Sequence, residues 1–220
     1  MKTVRIHPVL YGRSTLPLRM VFEGGSPECS IPIDFILYYL EAEGKRILVD
    51  AGCDTMPGFE MRDFIGPVEA LKRNGIEPDS ITDLIITHAH HDHIEGARHF
   101  PKATVHIQKD EYPRGKKYIP ESFQVSIFDE DLEICPGVRV IRIGGHSVGS
   151  CIVEVETKEG TCVICGDECY SPQNLIEQIL TGSSFCPQNS RAFLKTYGVP
   201  GYTLLLCHQL TPIQIQPKTK

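Results

Sequence analysis

The sequence predicts a chain of mixed class, α/β or α+β. Short runs rich in Val, Ile and Phe recur along its length, each bounded by Gly, Pro or acidic residues, which is the signature of strands. Fewer segments carry helical punctuation, with Pro near the start or Gly just past the end, and they are interspersed among the strand-like runs. A length of 220 residues with 41% hydrophobic and 23% charged residues suffices for one ordinary core, so the expectation is a single domain over 1–220. The same composition excludes disordered, collagen-like and coiled-coil chains.

In chain order, strands are expected over 3–10, 35–41, 46–50, 84–87, 104–108, 124–128, 138–143, 151–156, 161–165 and 203–207. Glu41-Ala-Glu-Gly-Lys45 and Glu156-Thr-Lys-Glu-Gly160 put Gly and charge between two apolar runs, which predicts hairpins and antiparallel neighbours there. Helices are expected over 67–74, as one turn over 96–100, over 172–181 and over 189–197. The stretch 12–32 holds three Pro and three Gly with few periodic apolar residues, too long for a plain connection, and it is expected to form a lid. The tail from Ile213 alternates like an edge strand before turning polar. An apolar stripe over 31–40, or this C-terminal segment, is a candidate surface for a homodimer.

Several partners are excluded by charge and length. The most apolar early run, 31–40, contains Asp34 and falls well short of the roughly 20 residues that cross a bilayer, and the charged N-terminus lacks the apolar stretch of a signal peptide. No membrane partner is expected. A formal net charge of −6, with no basic cluster beyond Arg114-Gly-Lys-Lys117, speaks against nucleic acid. Nine Cys without paired spacing do not read as a disulfide framework, so a reducing, cytoplasmic setting is expected.

The densest chemistry is Thr87-His88-Ala89-His90-His91-Asp92-His93, directly after an apolar strand. Neutral imidazole is the commonest metal ligand, and carboxylate is its usual companion on borderline cations. His88 and His90 stand two apart and could reach one ion, while a turn beginning near His91 would aim Asp92 and His93 at a second. Alternation turns His91 away. Neither pair completes a coordination shell, so further donors must come from distant sequence. His146, Asp167 and His208 each follow an apolar strand, where rigid strand ends could bring them to one sheet edge. His7, His99 and His106 lie in ordinary strand or helix patterns.

Taken in this order, His88-Ala-His90-His-Asp92-His93, His146, Asp167 and His208 resemble the metallo-β-lactamase superfamily, as does the turn Leu48-Val-Asp50-Ala-Gly52. The resemblance implies an α/β fold, an αββα four-layer sandwich of two mixed β-sheets, with a two-metal site at one edge. It implies that His88, His90 and His146 bind the first metal, that Asp92, His93 and His208 bind the second, and that Asp167 bridges them. Asp50 would accept a hydrogen bond from a ligand imidazole and fix its tautomer. An acidic residue in place of His90 would have indicated a diiron electron-transfer or oxygen-reducing relative; with His90, hydrolysis is implied.

Within the superfamily the chain is similar to the N-acyl homoserine lactonase-like group. The stretch Phe100-Pro-Lys-Ala-Thr-Val-His-Ile-Gln-Lys-Asp-Glu-Tyr112 resembles what those proteins carry after the histidine motif, and Tyr170 stands three residues after Asp167, where the lactonases place a tyrosine that assists at the substrate carbonyl. The implied enzyme is a dinuclear hydrolase whose metal-bridging hydroxide attacks an ester or lactone of a small-molecule substrate, with Asp92, Asp167 and Tyr170 as catalytic residues and Asp167 relaying the proton. Zinc is the default for both divalent ions, and iron, manganese or cobalt suit the same donors. The alternatives are a hydrolase of the same fold acting on thioesters, phosphodiesters or β-lactams, and a non-catalytic metal-binding or sensing protein. No cysteine is a ligand in this reading: Cys162 and Cys165 face opposite sides of one strand, while Cys53, Cys169 and Cys207 lie near ligands and are expected to be oxidation-sensitive.

Overall fold

Alternation along doubly buried strands sorts the apolar residues into three layers of core, and the site sits at the ends of those strands. The computed structural model of the chain describes residues 4–215. One six-stranded sheet runs β1 (Arg5–Pro17), β2 (Ser30–Ala42), β3 (Lys45–Val49), β4 (Asp83–Ile86), β5 (Thr104–Gln108) and β6 (Val125–Phe128), in spatial as well as chain order. The other comprises β7 (Asp131–Cys135), β8 (Val138–Arg142), β9 (Cys151–Thr157), β10 (Gly160–Ile164), β11 (Tyr202–Leu206) and β12 (Gln209–Gln214), with β7 and β12 at its edges. Both sheets are mixed: β3, β4, β5 and β6 pair in parallel, as do β10 and β11, and the remaining pairs are antiparallel.

Successive residues of a strand face opposite sides. In β2, Ile36, Tyr38 and Leu40 therefore point to the layer between the sheets, where they meet Val138, Val140, Val153 and Val155. Phe35, Leu37 and Tyr39 point outward. Against that outer face pack α2 (Pro67–Arg73) and the segment holding α3 (His91–Ile94) and the 3₁₀ turn Glu95–His99. On the far side Ile152, Val163, Leu204 and Leu206 meet Leu175 of α5 (Pro172–Ile176) and Phe193, Leu194 and Tyr197 of α6 (Pro187–Tyr197). The layers are thus helix, sheet, sheet, helix. Both expected hairpins, β2–β3 and β9–β10, form as antiparallel pairs.

Four expectations change. The stretch 12–32 is no loose lid. Residues up to Pro17 extend β1 past a register shift between Leu10 and Gly12, Leu18–Val21 forms the short helix α1, and β2 begins at Ser30. Pairing of Arg13, Ser14 and Thr15 with Asp34, Ile33 and Pro32 holds this polar stretch extended. The helix expected over 172–181 ends at Ile176, because Gln178 takes a φ of 56° that a helix cannot continue through. The apolar stripe over 31–40 offers no dimer surface: Ile33 and residues 35–40 are all at most 5% exposed, consumed by the two core layers. Edge strands β7 and β12 replace what was read as connection, although alternation from Ile213 marks the end of β12. Thr3 and the tail beyond residue 215 lie outside the described residues.

Candidate metal centre

Four of the histidines, His88, His93, His146 and His208, are each held through Nδ1 while Nε2 points inward. Thr87, immediately after β4, donates its hydroxyl to Asp50 and so accepts from His88 Nδ1, 3.1 Å away. His93, on α3, places Nδ1 2.7 Å from Asp50 Oδ2. His208 follows β11 and places Nδ1 3.0 Å from the Asp34 carbonyl, where the two sheets meet through backbone bonds from Asp34 and Ile36 to residues 208 and 207. His146 follows β8, its Nδ1 3.4 Å from Ser183 Oγ. These contacts assign Nδ1–H as the donor and leave Nε2 of all four rings turned toward Asp167.

The inward nitrogens fall into two groups. His88 Nε2 and His146 Nε2 both lie 2.9 Å from His90 Nδ1, three ring nitrogens crowding one point. His93 and His208 turn their Nε2 atoms toward Asp92 Oδ2, at 3.6 and 3.8 Å. Asp167, in the turn after β10, lies between the groups: Oδ1 is 3.1 Å from both His93 Nε2 and His208 Nε2, and Oδ2 is 3.6 Å from His88 Nε2 and 3.5 Å from His146 Nε2. The structure thus brings together every residue expected there: His88, His90, Asp92, His93, His146, Asp167 and His208. Tyr170 joins them, donating its hydroxyl to Asp167 Oδ2 at 2.8 Å. His91 turns away as expected, toward the Thr55 carbonyl at 2.7 Å.

This donor set fits divalent cations. One proton on His90 Nδ1 cannot satisfy two facing nitrogens, and His93 Nε2 is buried without any hydrogen bond. A cation in each group would satisfy all of these lone pairs at once. Electrostatics agree. Burial holds His88 well below the ordinary imidazole range and lowers His146 to about 4, so both present neutral nitrogens. Burial alone would also lower His93 and raise Asp167, but the attraction between them outweighs it, so Asp167 stays ionised and His93, with no cation beside it, keeps a proton that a cation at Nε2 would displace. Tyr170 is pushed well above the ordinary phenol range, by burial first and Asp167 second, and stays protonated.

A cavity of about 200 Å³ opens onto these groups. Its floor is His90, Asp92, His146, Asp167, Tyr170, Ser183 and His208, and its wall is Leu16, Met20, Ile33, Met56 and Phe59. Among the described residues, no Lys or Arg lines it. Two wall residues, Leu16 of β1 and Met20 of α1, come from the stretch expected to be a lid, Ile33 of β2 follows directly after it, and Met56 and Phe59 carried no signal in the sequence. Glu111 and Glu168, buried beside the ligand loops, also escaped it, because the backbone N–H groups and serine hydroxyls they accept from lie far along the chain. The thiols near the site are not the reactive groups expected of them: burial raises Cys53 and Cys169 to about 12 and Cys207 well above its ordinary range. All nine cysteines are free, and Cys162 and Cys165 pack into different core layers.

The sequence model of the metallo-beta-lactamase superfamily matches residues 37–179, and the chain belongs to that family. Its paired mixed sheets with flanking helices are the superfamily fold, and it is a metal-dependent hydrolase of the lactonase-like kind. An N-acyl homoserine lactonase of Bacillus thuringiensis is 26% identical over 205 residues, covering 81% of each chain. Another, of Agrobacterium fabrum, is 25% identical over 183 residues, 66% of each chain. The solved structure of a quorum-quenching N-acyl homoserine lactone lactonase aligns with a TM-score of 0.77 at 26% identity, covering 89% of this chain and 86% of that one. A dizinc quorum-quenching lactonase shares the fold, with a TM-score of 0.74 at 15% identity over 93% of this chain and 87% of that one. No helix among the described residues is long and apolar enough to cross a membrane.

Proposed function

We propose that this chain, acting as one hydrolase domain, opens neutral lactones or esters that carry a short apolar acyl group, using two divalent cations. His88, His90 and His146 would hold one cation, Asp92, His93 and His208 the other, and Asp167 would be shared. Zinc is the first choice for both, since the donors are nitrogen and oxygen without thiolate. The observation that carries the reading is the placement of Asp167, whose two oxygens face one histidine group each.

Divalent cations held there would supply Lewis acidity toward a carbonyl and hydroxide near neutral pH. The chain's own residues do the rest. Tyr170 is a protonated donor at the rim of the Asp167 carboxylate, suited to a carbonyl oxygen that gains charge as it is attacked. Asp92 and Asp167 would supply negative charge that offsets part of the charge of the cations. Leu16, Met20, Ile33, Met56 and Phe59 supply an apolar wall for an acyl chain, and a lining without Lys or Arg among the described residues disfavours phosphodiesters. The names of the relatives, N-acyl homoserine lactonases, support a lactone bearing an acyl amide. Nine free thiols suit a reducing cytoplasm.

The test is a panel of N-acyl homoserine lactones, simple esters, thioesters, phosphodiesters and β-lactams offered to the zinc-loaded protein. The highest kcat/KM is expected on an acylated lactone. A preference for phosphodiesters or β-lactams would overturn the substrate reading, and an inert but metal-loaded protein would overturn the catalytic one.

A further inference from the structure

The loop over 143–150, which carries His146, makes no regular structure, yet it is tied on two sides by buried carboxylates that belong to no metal group. Glu111, 4% exposed, accepts from Ala89 N at 2.8 Å through Oε2, and from Ser147 Oγ at 2.7 Å and Gly149 N at 2.9 Å through Oε1. Ala89 lies between His88 and His90, so this one carboxylate joins the loops of three imidazoles. Glu168, 2% exposed and next to Asp167, accepts from Gly145 N at 3.1 Å, His146 N at 3.0 Å and Ser150 Oγ, all through Oε1. Its Oε2 has no partner.

The glycines of this loop keep the ties short. A Cβ at Gly145 would collide with Glu168 Oε2 and Ser190 Oγ, and one at Gly149 with Gln108 Oε1. The Asp92–His93–His208 group has different anchors, the Asp50 carboxylate and the Asp34 carbonyl.

We propose that Glu111 and Glu168 are positioning residues that strap together the two loops carrying His88, His90 and His146 and set how tightly that group, and not the other, holds its cation. The inference rests on the two-cation reading above. Outer partners of ligand residues commonly govern metal affinity in this way, and here the ligand rings are aimed through their backbones.

The two straps differ in a way that an isosteric change exposes. Glu111 accepts through both oxygens, so Glu111→Gln must set an amide N–H₂ against a backbone N–H. Glu168 accepts everything through one oxygen, so Glu168→Gln keeps every bond, while Glu168→Ala loses them all. The measurement is the zinc affinity of each site, from competition with a chromophoric chelator, together with the visible spectrum of the cobalt-substituted protein. Glu111→Gln and Glu168→Ala are expected to weaken one site by roughly 10–100-fold and to alter the spectrum, with the second site within about threefold and Glu168→Gln close to the unmodified protein.

Unchanged affinities in Glu111→Gln, equal loss at both sites, or failure of Glu168→Gln to rescue would each overturn the proposal. Should Glu111→Gln not fold, Ser147→Ala removes a single donor from the same strap; a weakening of several-fold at one site is then expected, and no change overturns the proposal. An unmodified protein that takes up no zinc defeats the reading of the site and this proposal with it. One that binds two zinc ions while the variants match it defeats only the proposal.

Discussion

The Tyr170 hydroxyl lies 2.8 Å from Asp167 Oδ2, so a phenol and a carboxylate three residues apart meet at the floor of the cavity. Tyr170→Phe removes a donor while leaving the ring stacked beside His208. Loss of one such donor costs about 10²-fold in kcat where it stabilises developing negative charge. We expect kcat on a lactone to fall by roughly 10–100-fold with KM and bound metal nearly unchanged. Unaltered kcat would remove Tyr170 from the reaction.

Asp50 couples the two ends of the histidine motif, accepting from Thr87 N at 2.8 Å and lying 2.7 Å from His93 Nδ1. Both carboxylate oxygens are in use, so Asp50→Asn must turn an amide donor toward one of these N–H groups. Zinc affinity is expected to drop about 10–100-fold, chiefly at the group containing His93, with near-native circular dichroism. Chelator competition measures this directly, and equal weakening of both groups would contradict it.

Phe59 and its apolar neighbours define what is held beyond the scissile bond. Phe59→Ala should raise KM for an acylated lactone by about 1–2 kcal/mol, or roughly 5–30-fold, since apolar burial contributes on that scale. An unsubstituted lactone, too short to touch the wall, should be unaffected. Equal losses on both substrates would mean that the ring alone fills the cavity.

Far from the metal groups, Asp83 lies 2.8 Å from Lys45 Nζ, 2.7 Å from Thr82 Oγ1 and 2.9 Å from His106 Nε2. Burial would raise this carboxyl, but the bonds from His106, Lys45 and Thr82 outweigh it and hold it well below the ordinary range. A carboxyl depressed in the folded state stabilises fully above its unfolded value of about 3.9 and loses that contribution as pH falls toward the folded value. Asp83→Asn is therefore expected to cost about 1–3 kcal/mol in urea unfolding at pH 7, with the gap to the unmodified protein narrowing below about pH 4. A gap independent of pH would contradict the ion-pair account.

Much of this was legible in the sequence because its causes are local. Ile85 in β4 and Val153 in β9 belong to apolar runs that announce strands buried on both faces, and Thr87 to His93 carries four imidazoles and a carboxylate within a few residues. His146, Asp167 and His208 were readable because each follows such a strand. What escaped has non-local causes. Residues 13–17 are held extended by β2, 30–34, rather than by their own pattern; β7 and β12 are short edge strands whose polar residues face solvent. Glu111 and Glu168 act mostly on backbone N–H groups, with one serine hydroxyl each, across separations that no local pattern reveals. Met56 and Phe59 reach the cavity from an irregular segment with no period at all.

The central claim, that two cations share Asp167 to open a lactone, is tested most directly by adding zinc in steps to metal-free protein while following acyl lactone hydrolysis. Activity should climb to a plateau at about two equivalents of zinc, as expected for a two-metal site, and Asp167→Asn should stay inactive throughout. A plateau at one equivalent, or full activity without added or residual metal, would contradict it.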